Sequence, residues 1–321
     1  MQNYNILNKI KDIKTICILG HLDPDADALS SMVVLKNFLK SQLNTEIDLF
    51  ASCNDVTKNC KHIIKNENFN ITPKSKYDLA IAVDSTTPER LDKYQNLFKQ
   101  ANSTIVIDHH STNPKFGDLN IIEPTSSTCE IIYKILEYNN YKFTTQDYEF
   151  LYSGIITDTG NFTNPSTNKE THDIAGKICK HINISKIYNN FFSNFSLVNM
   201  KLFACAINNI KSYENNKIII SHITQSFLDE QNASNNDLTG IVNRLTQINN
   251  NILTCFIQPK GNNLNYVSLR AKNGYDISTI AKKYGGGGHI GASGFTSSLT
   301  QDEIIKHIKS DFFDILKSNN K

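Results

Sequence analysis

Aspartate and histidine are concentrated in the residues that follow the first apolar run of the chain. Residues 20–29 read GHLDPDADAL and contain one imidazole and three carboxylates: His21, Asp23, Asp25 and Asp27. Carboxylates at this spacing repel one another and raise one another's pKa unless a cation neutralises them. The segment therefore predicts a metal site, although Asp23, which precedes a proline, also fits an ordinary turn.

More candidate metal ligands follow later apolar runs. They are Asp84, after residues 79–83, and Asp108, His109 and His110, after residues 104–107. A single aspartate at a strand end commonly caps a helix, whereas the Asp-His-His triplet adds imidazole, which suits transition metals. Asp158 adds another carboxylate within the segment 154–162. These mixed oxygen and nitrogen donors predict Mn²⁺, with Mg²⁺, Co²⁺ and Zn²⁺ as alternatives.

A glycine run in the second half of the chain predicts a phosphate contact. Residues 285–288 are all glycine, His289 follows them, and Arg270 lies ahead of them at the end of an apolar run. Successive glycines let backbone N–H groups approach a phosphate, and arginine and histidine can meet its oxygens. A flexible turn is the alternative interpretation. The predicted substrate contacts are Arg270, Gly286, Gly287, Gly288 and His289.

The elements that must position these residues in the first half belong to the α/β class. Short apolar runs alternate with amphipathic stretches, which predicts strands joined by crossover helices in a mainly parallel sheet. We expect strands at 15–19, 79–83 and 104–107 and helices at 28–39, 128–138, 146–156 and 172–181. Because ligands of such sheets lie beyond the carboxyl ends of the strands, the acidic clusters should converge at one edge.

The second half predicts a smaller α+β domain. Strands are expected at 217–221, 252–257 and 266–269, and helices at 276–283 and 301–316. Residues 183–196 are rich in Asn, Ser and aromatic residues and have no clear period, which predicts an irregular connection. We therefore expect a first domain at 1–190, a linker at 191–200 and a second domain at 201–321.

Composition excludes several classes of protein. The net charge of +2 over 321 residues is too small for a general polyanion binder, so a nucleic-acid substrate should be short. The start of the chain lacks a signal-peptide core, and no apolar run approaches a membrane span, so we expect a cytoplasmic protein without membrane contact. Seven scattered cysteines without a CxxC pair fit reduced thiols.

These motifs together resemble the DHH phosphoesterase family. HxxxDxD at 21–27, Asp84, DHH at 108–110, Asp158 and GGGGH at 285–289 occur in the family's order, and the resemblance covers nearly the whole chain. Residues 266–270 and 285–294 look like the DHH-associated substrate domain. Among subfamilies, the size and C-terminal pattern are similar to bacterial oligoribonucleases that degrade nanoRNA and dephosphorylate 3′-phosphoadenosine 5′-phosphate (pAp).

The resemblance implies a division of labour among the site residues. One metal would be held by His21, Asp25 and Asp84, and the other by Asp27, Asp84, His109 and Asp158, so that Asp84 bridges them. Such a pair of ions activates a water and neutralises the phosphoryl oxygens. Asp108 and His110 would be catalytic groups that orient a ligand imidazole or meet the leaving oxygen.

The resemblance also implies the substrates and leaves competitors open. The expected substrates are short RNA or DNA oligonucleotides, linear dinucleotides such as pApA, and small phosphonucleotides such as pAp; a homodimer is expected from the family alone. A manganese pyrophosphatase shares the metal half, but its C-terminal domain typically has an Arg-Lys clamp in place of GGGGH. A non-catalytic nucleotide sensor would be expected to lose metal ligands, and a processive exonuclease to be larger.

Overall fold

The chain folds into two compact units, Met1–Asn194 and Phe195–Lys321. The structure, a computed structural model, describes residues 4–7, 10, 13–52, 58–193 and 195–318; the side chains of Lys58 and His289 lie outside the described part. No helix in these ranges combines the length and the apolar character needed to cross a membrane.

Unit 1 contains a five-stranded sheet in the order β2-β1-β3-β4-β5, in which every neighbouring pair is parallel. Its strands are β1 (Thr15–Leu19), β2 (Glu46–Phe50), β3 (Leu79–Val83), β4 (Ser103–Asp108) and β5 (Leu119–Ile122). Its α-helices are α1 (Ala26–Gln42), α2 (Lys61–Ile64), α3 (Gln95–Gln100), α4 (Thr128–Tyr138), α5 (Thr145–Asp158), α6 (Lys169–Cys179) and α7 (Ile184–Phe192). The predicted mainly parallel α/β domain is confirmed.

Both faces of this sheet are covered, as its continuous apolar strands require. All five residues of β3 are buried. On one face, residues of α1, α4 and α5 form the large core with Ile18, Ile81 and Ile107. The other face packs a smaller cluster that includes Cys17, Ala82, Tyr77 and Phe98. The sheet is therefore a rigid base for the residues that follow its strands.

One segment of unit 1 differs from the sequence-based expectation. Residues 184–192, expected to be irregular, form helix α7, and helix α8 of unit 2 begins at Leu197, within the segment predicted as a linker. Ile184, Ile187 and Tyr188 recur at helical spacing, and the Asn183 side chain caps the helix by accepting from the Lys186 N–H at 3.0 Å. The prediction was wrong because the neighbouring asparagines and aromatic residues hid this short period.

Unit 2 has a six-stranded mixed sheet in the order β10-β11-β9-β8-β7-β6, in which only the β7–β8 pair is parallel. Its strands are β6 (Lys211–Tyr213), β7 (Ile218–His222), β8 (Leu253–Gly261), β9 (Leu264–Ala271), β10 (Gly287–His289) and β11 (Ala292–Ser297). Its α-helices are α8 (Leu197–Asn208), α9 (Gln225–Glu230), α10 (Ile241–Leu245), α11 (Ser278–Lys283) and α12 (Gln301–Ser318). The predicted α+β class of this half is confirmed.

Candidate metal centre

Three neighbouring strands of unit 1 deliver polar residues to one edge of the sheet. Asp84 directly follows β3, Asp108 ends β4, and His21 follows β1 after one glycine. Because β1, β3 and β4 are adjacent and parallel, their carboxyl ends lie side by side. Asp84 has a positive φ of 53°, an uncommon conformation for a residue with a side chain. The chain therefore turns sharply where the apolar strand ends.

Helix ends supply the remaining carboxylates. Asp25 is the N-cap of α1, and its Oδ1 accepts from the N–H groups of Asp27 at 2.9 Å and Ala28 at 3.1 Å. Asp27 lies in the first turn of the same helix, and Asp158 is the last residue of α5. Asp25 thus keeps its second oxygen for another partner while it starts the helix.

The structure brings all six predicted ligands together around Asp84. Donor atoms lie within 4.8 Å of one another in three groups: His21, Asp25 and Asp84; Asp27, His109 and Asp158; and Asp84, His109 and His110. His21 Nε2 is 3.6 Å from Asp84 Oδ2, and His109 Nε2 is 3.6 Å from Asp84 Oδ1. His109 Nε2 is also 3.3 Å from Asp158 Oδ2. Asp84 therefore lies between His21, which is grouped with Asp25, and His109, which is grouped with Asp27 and Asp158.

Asp23 does not belong to any of these three groups, which are those found among the residues that the structure describes. Its φ is 53°, and its backbone N–H donates to the carbonyl of Ser52 at 2.7 Å. The residue lies in the loop between β1 and α1. Its position fits the turn interpretation of its sequence.

Asp27 and Asp84 are buried, and Asp158, partly buried, belongs to the same cluster. Burial, followed by the charges of Asp84, Asp158 and Asp25, raises the pKa of Asp27 well above its usual range. Burial also raises the pKa of Asp158 to about 7, although the nearby His109 lowers it. Carboxylates in such surroundings favour either a proton or a cation. The donor set of oxygen and imidazole nitrogen therefore fits divalent metal ions.

Backbone carbonyls fix which nitrogen each histidine offers. A carbonyl can only accept, so the 2.8 Å contact of His21 Nδ1 with Leu22 O places the proton on Nδ1. Arg90 Nη2 lies 2.9 Å from the same nitrogen and finds its acceptor in Leu22 O, at 3.2 Å. His109 Nδ1 contacts Thr125 O at 3.2 Å in the same manner. In both histidines Nε2 is consequently the nitrogen that faces the carboxylates.

Asp108 and His110 form a separate pair beside the ligands. Asp108 is fully buried, accepting from Asn113 Nδ2 at 2.6 Å and contacting His110 Nδ1 at 2.7 Å. The hydrogen bond to Asp108 raises the pKa of His110, although partial burial opposes the shift. The imidazole is partly exposed, whereas both oxygens of Asp108 are occupied. Of the two roles left open for Asp108, orientation of an imidazole fits this geometry.

Unit 2 contains the predicted phosphate contacts. Arg270, near the end of β9, pairs across the sheet with Thr254 and Ala292. The expected glycine loop is only partly a loop, because residues 287–289 form strand β10 against β11. Gly288 has a φ of 139°, and a Cβ there would lie 2.6 Å from the carbonyl of Ala292. The glycines thus permit a close strand pairing; the His289 side chain lies outside the described residues.

Comparisons with known proteins assign both units. The DHH family, N-terminal domain, matches residues 15–155, and the DHHA1 domain matches residues 204–314. A probable bifunctional oligoribonuclease and PAP phosphatase NrnA from Streptococcus mutans is 31% identical over 94% of this chain and 95% of its own length. The chain belongs to the DHH family. A Thermus thermophilus protein named bifunctional oligoribonuclease and PAP phosphatase NrnA is 26% identical over 91% of this chain and 87% of its own.

A solved structure shares the fold over nearly the whole chain. An exopolyphosphatase-related protein from Bacteroides fragilis, solved by crystallography, superposes with a TM-score of 0.83. It covers 96% of this chain and 94% of its own, at 24% identity. The resemblance to DHH proteins found in the sequence is confirmed, as is the expected α/β fold with a separate C-terminal sheet.

The sequence motifs did not reveal the residues that donate hydrogen bonds to the aspartates of the candidate metal centre. The N–H groups of Thr128 and Cys129 donate to Asp27 at 2.7 and 2.9 Å, so the N-terminus of α4 meets a carboxylate. The Thr128 hydroxyl donates to Asp84 Oδ1 at 2.9 Å. A signal was present: Ser127 is followed three residues later by Glu130, the capping-box spacing that marks a helix start. Which carboxylates that start would meet was not readable.

Proposed function

We propose that this protein is a metal-dependent phosphoesterase that hydrolyses short oligonucleotides and linear dinucleotides such as pApA, and dephosphorylates pAp. The observation that carries the proposal is the convergence of two histidines and four aspartates, with Asp84 shared between two of the groups of candidate ligands. The names of the Streptococcus mutans and Thermus thermophilus relatives, which match nearly full length, support the two activities.

Two divalent ions, proposed as Mn²⁺, would supply an acidified water and neutralise charge on the phosphoryl oxygens. We assign His21, Asp25 and Asp84 to one ion, and Asp27, Asp84, His109 and Asp158 to the other. The ion-pair partners support this assignment, since among the described residues Asp84 and Asp158 pair with histidines, which can bind metal, and with no lysine or arginine. Mg²⁺, Co²⁺ and Zn²⁺ remain the alternatives for the native metal.

His110 is proposed as the proton donor to the leaving oxygen. Its Nδ1 is held by Asp108, which leaves Nε2 for a substrate atom, and it is more exposed than the ligand histidines His21 and His109. The carboxylate of Asp108 favours the protonated imidazole, as a general acid requires. Asp108 would act through His110 and not on the substrate itself.

We assign substrate binding to the DHHA1 domain. Arg270, Gly286, Gly287, Gly288 and His289 are the proposed contacts to a terminal phosphate, on the strength of donor chemistry in Arg270 and the small residues around it. The proposed domain limits are 1–190 for the catalytic part, 191–200 for the linker and 201–321 for substrate binding. A cytoplasmic location and a homodimer are part of the same proposal.

The proposal is tested by a substrate panel with purified protein reconstituted with Mn²⁺, Mg²⁺, Co²⁺ or Zn²⁺. The panel should contain pApA, RNA of three to five nucleotides, pAp and inorganic pyrophosphate. Turnover of pApA and pAp in at least one metal form is the expected result. Turnover of pyrophosphate alone would favour the pyrophosphatase alternative, and binding of nucleotides without turnover would favour the sensor. The comparisons favour neither alternative.

A further inference from the structure

The guanidinium of Arg270 is held by neutral groups alone. Its Nε donates to Asn243 Oδ1 at 3.2 Å, and its Nη1 donates to the carbonyl of Leu269 at 2.9 Å. The side chain is partly buried, and the ion pairs found among the described residues do not include it. A partly desolvated guanidinium without a carboxylate partner keeps its full attraction for an anion.

The fold places Asn243 beside this arginine. Helix α10 begins after Gly240, whose φ of 83° starts the turn, and it packs on β8 and β9. Ile241, Val242 and Leu245 are buried, whereas Asn243 lies on the exposed side of this short helix. The apolar residues thereby fix the backbone from which the Asn243 carboxamide reaches Arg270.

The chemistry of the pair determines how the carboxamide is oriented. An arginine side chain has donors and no acceptor, so the oxygen of Asn243 must face it. The Asn243 Nδ2 group has no acceptor assigned among the described residues, and the same holds for Nη2 of Arg270. Two sets of N–H donors are therefore available next to each other.

We propose that Asn243 is a positioning residue that orients Arg270 toward a terminal phosphate of the substrate without neutralising its charge. The proposal rests on the proposed function for the identity of the phosphate ligand. A carboxylate at position 243 would hold the guanidinium more firmly, as an ion pair, but would also neutralise its charge. The neutral amide meets both requirements, since it accepts one hydrogen bond and leaves the cation free.

The test compares Asn243→Ala and Asn243→Asp with Arg270→Ala and with the control Gln247→Ala, an exposed amide further along the same segment. Binding of adenosine 5′-monophosphate to the Mn²⁺-loaded full chain is measured by calorimetry, with adenosine as the ligand that lacks a phosphate. Loss of the hydrogen bond between the guanidinium and the uncharged carboxamide predicts roughly three- to tenfold weaker binding in Asn243→Ala. Asn243→Asp should weaken it more than tenfold and approach Arg270→Ala, because a carboxylate pairs with the cation.

The Asp variant tests whether the charge of Arg270 must stay free, and the Ala variant tests whether Asn243 positions the guanidinium. If Asn243 only stabilises the fold, Asn243→Ala should lower the Tm and leave the affinity for the monophosphate unchanged; if a carboxylate leaves the guanidinium available, Asn243→Asp should bind like the wild type. That result, or equal binding by Asn243→Ala, Gln247→Ala and the wild type, would overturn the proposal. Unaltered binding by Arg270→Ala, or the absence of any binding of the monophosphate, would also overturn it.

Kinetics on pApA distinguish this proposal from the proposed function. The two Asn243 variants should raise KM with a smaller change in kcat, because the contact is to a part of the substrate remote from the bond that breaks. Absence of turnover in the wild type would defeat the proposed activity, and the calorimetric ranking of the variants would still decide the role of Asn243.

Discussion

The Thr128 hydroxyl donates a 2.9 Å hydrogen bond to Oδ1 of Asp84, which joins the start of helix α4 to the central carboxylate of the candidate metal centre. Both residues are buried. The bond orients Asp84 between His21 and His109, each of which has its Nε2 at 3.6 Å from one of the two oxygens. Thr128 is therefore expected to contribute to metal affinity without contacting the metal.

Thr128→Val should weaken metal binding while the fold is retained, because valine has a similar shape and no donor. Loss of an outer hydrogen bond to a ligand typically costs about 10- to 100-fold in metal affinity. Calorimetric titration with Mn²⁺ measures the affinity, and Thr128→Ser, which keeps the hydroxyl donor, should retain most of the wild-type affinity. Thr145→Val, at an exposed position in α5, is the matched control. Equal Mn²⁺ affinity of Thr128→Val and the wild type would contradict the assignment.

Asp84→Asn should abolish hydrolysis, and Asp23→Asn should not. Asp84 belongs to two of the three groups of candidate ligands, whereas Asp23 belongs to none of those found in the described part of the chain. We expect turnover to fall by at least about 1,000-fold in the first variant, the scale of losing a central electrostatic group, and less than tenfold in the second. Bound metal per chain, measured by mass spectrometry, should fall only in Asp84→Asn. Similar losses of turnover and bound metal in both variants would contradict the proposed bridging role of Asp84.

Much of this arrangement was readable from the sequence because apolar runs mark the strands and their ends. The bounds of β1 and β3 were predicted as found, and with them the positions of His21 and Asp84 at the sheet edge. Strands β2 and β5 were missed; each is short and mixes polar with apolar residues. Thr128 was missed for a different reason: its partners lie 101 and 44 residues away, and no local pattern encodes such contacts.

Removal of metal should make the stability of the protein sensitive to pH. The pKa of Asp158 is raised to about 7 and that of Asp27 is raised well above its usual range, both first of all by burial. A carboxyl group with a higher pKa in the folded state than in the unfolded state binds its proton more tightly when folded. It therefore stabilises the fold at low pH, and this stability is lost as the pH rises toward 7.

Bound metal replaces these protons, so the increase in Tm on adding Mn²⁺ should grow between about pH 5 and pH 8. Thermal unfolding in chelator and in Mn²⁺, at half-unit pH steps, measures it. Asp158→Asn should flatten the pH dependence of the metal-free protein, because it removes one of the raised groups. An increase in Tm that is independent of pH would show that these carboxylates are not the groups displaced by metal.

Gly154→Ala should disturb the candidate metal centre from the side of α5. A Cβ at Gly154 would lie 2.6 Å from Asp27 Oδ1 and would also overlap Cys129 Sγ, so the helix could not approach α1 as closely. Overpacking of this kind destabilises by about 1–3 kcal/mol. Gly176→Ala is the control, since that glycine also lies within a helix and a Cβ there meets nothing within 4 Å. It should be stabilising by about 0.5–1 kcal/mol. Chemical denaturation gives the free energy of unfolding of both variants. Equal stability of the two variants would contradict the close approach of α5 to α1 at Gly154.

The enzyme should prefer oligonucleotides of about two to five residues to long RNA. A net charge of +2 provides little long-range attraction for a polyanion, and the strongly salt-dependent binding of long strands rests on many phosphate contacts. Recognition of one terminal phosphate through Arg270 and its neighbours would position the substrate without reading its bases.

Release should consequently proceed one mononucleotide at a time, and blocking the recognised terminus should slow turnover more than changing the base sequence. Time courses on end-labelled RNAs of about two, five and twenty-five nucleotides, at equal molar concentration, provide the measurement. A protein that tracks a single strand would instead cut the longest RNA fastest, because its affinity grows with the number of bound phosphates. Faster turnover of that RNA than of the dinucleotide, or cutting at internal bonds, would contradict recognition of an end and favour a processive nuclease.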